Sequence, residues 1–172
     1  MASLKLEIMQ EPPFASIEEQ ALLNLLRTSD TLHRAFHLKI RKWGITSTQY
    51  NVLRILRGAH PNGLTCTAIG DRMITAEPDI TRLLGRLKAL KLIRQQRDKQ
   101  DRRAVWTQIA PAGLTLLSEM DPLILDMPKE LLGHLKEEEL AQFIHLLERA
   151  RTPEDPERGP VSCTGGHIAQ PT

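Results

Sequence analysis

The 172-residue sequence predicts a mainly α-helical fold that contains one small β-element. Apolar residues recur every three or four positions over several long segments, which is the period of helices that bury one face. Clear alternation of apolar and polar residues occurs over the short segment 104–109. Residues 61–110 hold ten Lys and Arg and five Asp and Glu, a net charge of +5 in a chain whose total is +2. A basic centre of this kind indicates a phosphate-bearing partner.

The first long element is a helix predicted from Ile17 to Trp43. Residues 1–16 show little periodicity, so we expect a flexible lead before it. The apolar stripe of the helix extends as far as Ile40, and Gly44 can end it. The helix is longer than the average of about 11–12 residues and rich in leucine. We therefore expect it to require a large partner surface.

A second helix and a closely spaced helix pair follow. Thr46 and Ser47 cap the second helix, which ends near Gly58. Thr65 can cap the first helix of the pair, which we expect to extend through Met73. The second helix of the pair has Thr75 as its expected N-cap, or a start at Pro78, because proline disfavours helix at Glu77. Its apolar face is formed by Ile80, Leu83, Leu84, Leu87 and Leu90.

The segment after the helix pair predicts two short strands. Residues 92–96 and 105–109 have strand character, and the intervening run 97–103 contains no apolar residue. Two short helices joined by a tight turn, with a basic second helix, are typical of the helix-turn-helix. The sequence therefore predicts a winged helix-turn-helix over residues 45–110, with a two-stranded wing.

The carboxyl-terminal part of the chain predicts further helices over residues 111–151. Pro111 suits the first turn of a helix, Pro122 should kink that helix, and Pro128 marks an interruption. Acidic residues at 137–139 favour the start of a last helix. Residues 152–172 are rich in Pro, Gly and small polar residues and predict a flexible tail.

Five short motifs follow one another in the winged unit: Leu64-Thr65, Ile80-Thr81-Arg82-Leu83, Arg86-Leu87, Leu92-Ile93-Arg94 and Asp101-Arg102-Arg103. Over about 50 residues this order closely resembles the MarR family of bacterial regulators. Lys91 stands where the family usually has glycine after the recognition helix, and Ala110 stands where it usually has threonine.

This resemblance implies a homodimer that binds double-stranded DNA at a pseudo-palindromic operator. The flanking segments 17–44 and 111–151 would be dimerisation helices, and repression is favoured over activation. The residues expected to face DNA are Thr65, Pro78, Asp79, Thr81, Arg82, Arg86, Arg97, Lys99, Arg102 and Arg103. Asp101 is expected to orient a wing arginine. A small aromatic or other organic effector is expected in a pocket near His37, Trp43 and Tyr50.

Other classes of function find little support in the sequence. There is no phosphate-binding glycine loop and no nucleophile motif, so we expect neither an enzyme nor a cofactor. His33 and His37 have metal-ligand spacing without a third ligand nearby in sequence, so no metal is expected. A winged-helix module for protein interactions and a redox sensor built on Cys66 remain as alternatives. Apolar runs are too short for a membrane helix, no signal peptide is evident, and two cysteines suit a reducing cytoplasm.

Overall fold

A computed structural model describes residues 3–98 and 105–152. The chain forms seven helices and three strands in these ranges. The elements are α1 (Leu4–Glu7), α2 (Ile17–Ile40), α3 (Ser47–Gly58), β1 (Leu64–Thr65), α4 (Cys66–Gly70), α5 (Ile80–Ala89), β2 (Ile93–Arg97), β3 (Val105–Ile109), α6 (Pro111–Leu132) and α7 (Glu137–Arg151). The mainly α-helical class with a small β-wing is confirmed.

The first long helix is shorter at its end than expected. α2 stops at Ile40, and residues 41–43 continue as one turn of 3-10 helix. Gly44 ends that turn with a φ of +73°, a conformation that glycine adopts without steric cost. The next helix begins as predicted: Thr46 Oγ1 accepts a hydrogen bond from the Gln49 amide, and the Gln49 side chain accepts one from the Thr46 amide.

The core of the winged unit is built from the inner faces of α3, α4, α5 and α6 and the end of α2. Its fully buried members are Ile40, Val52, Leu53, Leu56, Ile69, Leu87, Leu117 and Met120. The helix pair packs closely at Gly70, where an added Cβ would lie 2.9 Å from Cδ1 of Ile80. This core holds α5 with its opposite face directed outward.

The wing is a three-stranded antiparallel sheet and not the two-stranded element that the sequence predicted. The strand order is β1-β3-β2, with Leu64 opposite Thr107 and Ile93 opposite Ile109. The extra strand contains two residues, too few for alternation to be visible in the sequence. Because β1 pairs with β3, Thr65 lies at the junction between the sheet and α4.

The expected limits of the helix pair are wrong in two places. Thr65 caps α4 as predicted, but α4 ends at Gly70 and not at Met73. The N-cap of α5 is Asp79 and not Thr75, because Asp79 Oδ1 accepts a hydrogen bond of 2.9 Å from the Arg82 amide. Residues 71–79 therefore form a connector that is longer than a tight turn. Leu90, which was placed on the apolar face, is exposed beyond the last residue of α5.

The expected interruption at Pro128 is also wrong. α6 continues from Pro111 to Leu132 with both Pro122 and Pro128 inside it. A proline removes one helical hydrogen bond, but the burial of Met120, Ile124 and Met127 on one face offsets that loss.

The lead and the end of the chain were expected to be flexible. Within the lead, α1 forms a short helix whose Leu4 is buried, and Arg27 of α2 lies 3.4 Å from Glu7. α7 belongs to a separate compact unit that starts at residue 132. The expected tail, residues 152–172, lies outside the described residues from 153 onward. Over residues 3–98 and 105–152, no helix is both long and apolar enough to span a membrane.

Candidate nucleic-acid interface and the cavity beside it

The outward face of α5 presents polar and basic side chains. Thr81, Arg82 and Arg86 are exposed, whereas Leu83, Leu84 and Leu87 of the same helix are buried. Arg82 and Arg86 are four residues apart and so share one side of the helix. The structure thus brings these three predicted residues onto one surface, anchored from behind by leucines.

Three other predicted residues lie at the edges of this surface. Pro78 and Asp79 are exposed at the end of the connector, just before α5. Asp79 uses one carboxylate oxygen to cap α5, which also places a negative charge at the positive end of the helix dipole. Thr65 is half-buried, and its hydroxyl accepts a hydrogen bond of 3.3 Å from the Ala68 amide. Thr65 therefore has the capping role that was expected of it, and Asp79 has one that was not.

The wing contributes Arg97 to the described part of the chain. Arg97 is the exposed last residue of β2 and pairs with Val105 of β3. The base of the wing is held by Trp106, whose Nε1 donates a hydrogen bond of 3.0 Å to Asp98 Oδ2. The remaining predicted wing residues, Lys99, Asp101, Arg102 and Arg103, lie outside the described residues.

A cavity of about 570 Å³ lies beside the helix pair. Its walls come from α2, α3, the α4–α5 connector and α6. The lining combines three kinds of side chain. Phe36, Ile55, Ile124 and Met127 are apolar, Ser47, Thr48 and Tyr50 carry hydroxyls, and His33, Arg54 and Arg72 are basic. Tyr50 is the predicted pocket residue that lines this cavity.

The other two predicted pocket residues are elsewhere. His33 and His37 are both exposed on α2, and His33, one helical turn earlier, is the one that lines the cavity. Trp43 is half-buried, and its ring stacks with Lys42, whose Nζ lies 4.3 Å from the ring centroid. Four-residue spacing does not show which of the two histidines borders the cavity until α2 is placed against α3.

Two buried hydroxyls of the cavity wall have no hydrogen-bond partner. The Ser47 side chain is part of a residue that is 8% exposed, and Tyr50 is 4% exposed. Tyr50 is fixed by an edge-to-face contact with Phe36, with ring centroids 5.6 Å apart. Buried polar groups usually have a partner, so these two hydroxyls are exceptions, as is Thr107 Oγ1 in the sheet.

Comparison with known proteins agrees with this geometry. The chain is 36% identical to a MarR transcription factor from Planctomyces limnophilus, with a TM-score of 0.62, over 79% of this chain and 98% of that one. The chain belongs to the MarR family. The model of that family matches residues 43–104, which contain the helix pair, β1 and β2 and end just before β3.

Two further solved MarR-type regulators have similar folds. The chain is 26% identical to MepR of S. aureus, which was solved in complex with DNA, with a TM-score of 0.68 over 74% of this chain and 94% of that one. It is 25% identical to BpsR of Bordetella bronchiseptica, whose DNA binding is regulated by 6-hydroxynicotinic acid. For BpsR the TM-score is 0.68 over 77% of this chain and 98% of that one.

Two ion pairs hold α6 of this MarR-family chain against the elements around the cavity. Arg57 of α3 donates two hydrogen bonds to the Asp121 carboxylate, at 2.7 and 3.0 Å. These hydrogen bonds raise the pKa of the Arg57 guanidinium above its ordinary value. Lys39 of α2 donates to Glu130. Neither pair was predictable from the sequence, since the partners are far apart along the chain.

Metal and thiol chemistry have little geometric support in this member of the MarR family. Within residues 3–98 and 105–152, no group of three or more His, Cys, Asp or Glu side chains is arranged to hold a metal ion. Cys66 is a half-buried free thiol in the first turn of α4. The redox alternative therefore rests on an isolated cysteine.

Proposed function

We propose that this MarR-family regulator is a homodimer that binds double-stranded DNA sequence-specifically and represses transcription until a small organic effector occupies its cavity. The observation that carries the proposal is the outward face of α5. Thr81, Arg82 and Arg86 project from a short helix that is fixed by its buried leucines, as a helix that enters the major groove requires.

The assignment of DNA contacts follows from position and charge. Arg82 and Arg86 would read base edges, because an arginine can donate two hydrogen bonds to guanine. Thr81 and Pro78 would lie beside them. Arg97 and the wing residues Lys99, Arg102 and Arg103 would contact backbone phosphates or the minor groove, with Asp101 orienting one of these arginines. The complex of MepR with DNA supports DNA as the partner.

The apolar face of α2 supports the dimer. Leu22 and Leu26 are more than half exposed in the single chain, and their four-residue spacing places them on one side of the helix. A second copy is the occupant proposed for this face, and a two-fold dimer would place its recognition helices about 34–36 Å apart. That spacing predicts a pseudo-palindromic operator. A protein acting on bacterial DNA would work in the cytoplasm.

The cavity supports an effector that is partly apolar and negatively charged. Apolar side chains form much of the wall, and the charged side chains Arg54 and Arg72 are both cationic. A small aromatic or other organic anion would match both features. Regulation of BpsR by 6-hydroxynicotinic acid is a precedent among the similar structures.

The first experiment selects a preferred duplex from random-sequence DNA and measures its affinity by fluorescence anisotropy. Arg86→Ala should cost about 1–3 kcal/mol on the selected duplex and much less on a scrambled one, because a lost base contact reduces sequence preference. If the dimer neutralises about 6–10 phosphates, raising salt from 50 to 200 mM should weaken binding by about 10³- to 10⁵-fold.

Arg34→Ala provides the matched control. Arg34 is an exposed arginine of α2 that pairs with Asp30, so its loss removes the same charge away from α5. The control should bind both duplexes within about twofold of the parent, as expected of a weak surface ion pair. Failure to select any sequence, or a nearly flat salt dependence, would instead favour the protein-interaction module.

A further inference from the structure

The α4–α5 connector is held by a side chain from another helix. Asn51 Oδ1 on α3 accepts a hydrogen bond of 3.1 Å from the backbone amide of Ile74. Among the hydrogen bonds between described residues, this is the one that links residues 74–78 to a residue outside the connector. The connector leads directly into Asp79, the cap of α5, so its position helps to set where the recognition helix begins.

The two partners of this contact differ in how firmly they are fixed. Asn51 is followed along α3 by Val52 and Leu53, both fully buried, so its backbone belongs to the rigid core. Ile74 is 87% exposed and makes little packing contact of its own. The hydrogen bond therefore anchors a weakly packed segment to a rigid one.

The same contact forms part of the cavity wall. Asn51 and Ile74 both line the cavity, together with Arg72 and Thr75 of the connector. An occupant of the cavity would therefore lie beside both ends of this hydrogen bond. It would then compete for the Asn51 carboxamide or displace the connector.

We propose that Asn51 is the positioning residue that couples the cavity to the recognition helix, an inference that rests on the function proposed above. With the cavity empty, Asn51 holds the connector so that α5 is placed for the operator. An occupant breaks the hydrogen bond to Ile74 and releases the connector. Asn51 contacts DNA in neither state.

The test compares the intact chain with Asn51→Ala, which removes the acceptor, and Asn51→Asp, which keeps an acceptor oxygen. Amide hydrogen exchange at Ile74, read by NMR, should become faster in Asn51→Ala and remain slow in Asn51→Asp. Affinity for the selected duplex should fall by about three- to tenfold in Asn51→Ala, the effect of one net hydrogen bond. Affinity for the scrambled duplex should hardly change.

Comparing the same two duplexes accounts for the charge that Asn51→Asp adds. Electrostatic repulsion would weaken binding to both duplexes, so the ratio of selected to scrambled affinity should stay close to that of the parent. Asn24→Ala is the control for loss of a carboxamide, because Asn24 donates to Gln20 of its own helix and lies outside this cavity. It should change neither the exchange at Ile74 nor the affinity ratio.

Coupling is tested by filling the cavity with a side chain, which requires no identified effector. Thr48→Trp places an indole in the wall and should weaken binding to the selected duplex in the parent. It should weaken binding much less when added to Asn51→Ala, because the contact it acts through is already gone. Ile55→Phe serves as a second filling variant if Thr48→Trp does not fold.

Three results would overturn the proposal. The first is an unchanged rate of amide exchange at Ile74 in Asn51→Ala. The second is faster exchange in Asn51→Ala with an unchanged ratio of selected to scrambled affinity. The third is a filling variant whose effect on binding adds fully to that of Asn51→Ala. A parent that prefers no duplex, but in which Asn51→Ala still speeds exchange at Ile74, would overturn the proposed function while establishing the Asn51 contact.

Discussion

Gly63 shows how closely the backbone is packed where the sheet begins. Its φ is +79°, and an added Cβ would lie 2.5 Å from the carbonyl oxygen of Thr107. A side-chain movement could relieve neither the strain of the positive φ nor this close approach, because both involve the backbone. We expect Gly63→Ala to lower the free energy of unfolding by about 2–4 kcal/mol, measured by urea denaturation.

Gly58 is the matched control for this residue. It is the last residue of α3, and an added Cβ there would meet no atom within 4 Å. Gly58→Ala should therefore leave stability unchanged or raise it by up to about 1 kcal/mol, because alanine favours the helix. Equal effects of the two substitutions would contradict the close approach of Gly63 to β3.

At the scale of the element, the end of α5 has a capping geometry that usually contains glycine. The Lys91 amide donates to the Lys88 carbonyl, and the Leu92 amide donates to the Leu87 carbonyl at 3.1 Å. These are the two hydrogen bonds of a Schellman motif. Lys91 occupies its left-handed position, with a φ of +59°. Lys91 thus replaces the glycine that is usual in the family, and the turn is retained.

Lys91→Gly should stabilise the protein by about 1 kcal/mol, because glycine adopts positive φ without steric cost. Lys88→Gly removes the same side chain inside α5 and should destabilise by about 0.5–1 kcal/mol. Thermal denaturation of both variants measures the difference in sign. A stability loss in Lys91→Gly would contradict the assigned turn.

At the scale of the whole molecule, the exposed apolar face of α2 leads to a prediction about assembly. Leu22 is 55% exposed and Leu26 56% exposed in the single chain, four residues apart on one helix. If a second copy covers them, Leu22→Glu combined with Leu26→Glu should convert the dimer to a monomer at micromolar concentration. Sedimentation velocity reports the molecular mass directly.

A polar pair on α2 gives a control with the same spacing and added charge. Gln20→Glu combined with Asn24→Glu should remain dimeric, because these positions lie on another side of the helix. A dimer that survives both double substitutions would place the interface elsewhere. Monomerisation should also weaken operator binding, since two half-sites could no longer be bound together.

Long, strongly periodic segments were predictable from the sequence, and short or irregular ones were not. The faces of α3 and α5 followed from apolar spacing, and Thr46 and Thr65 were recognisable caps. The two-residue β1 and the Asp79 cap were missed. A short strand depends on a partner distant in sequence, and a cap depends on which of several polar residues adopts the required backbone conformation.

The sequence by itself determined that this chain is a winged helix-turn-helix regulator, because periodicity, charge segregation and the motif of the wing are local properties. Tertiary structure decided which residues share the cavity. His33 and not His37 faces it, and Asn51 meets Ile74 across 23 positions of chain. It also decided that α6 passes through Pro128, since packing against the core outweighs a local signal. Such contacts depend on how helices pack, which spacing along one helix does not specify.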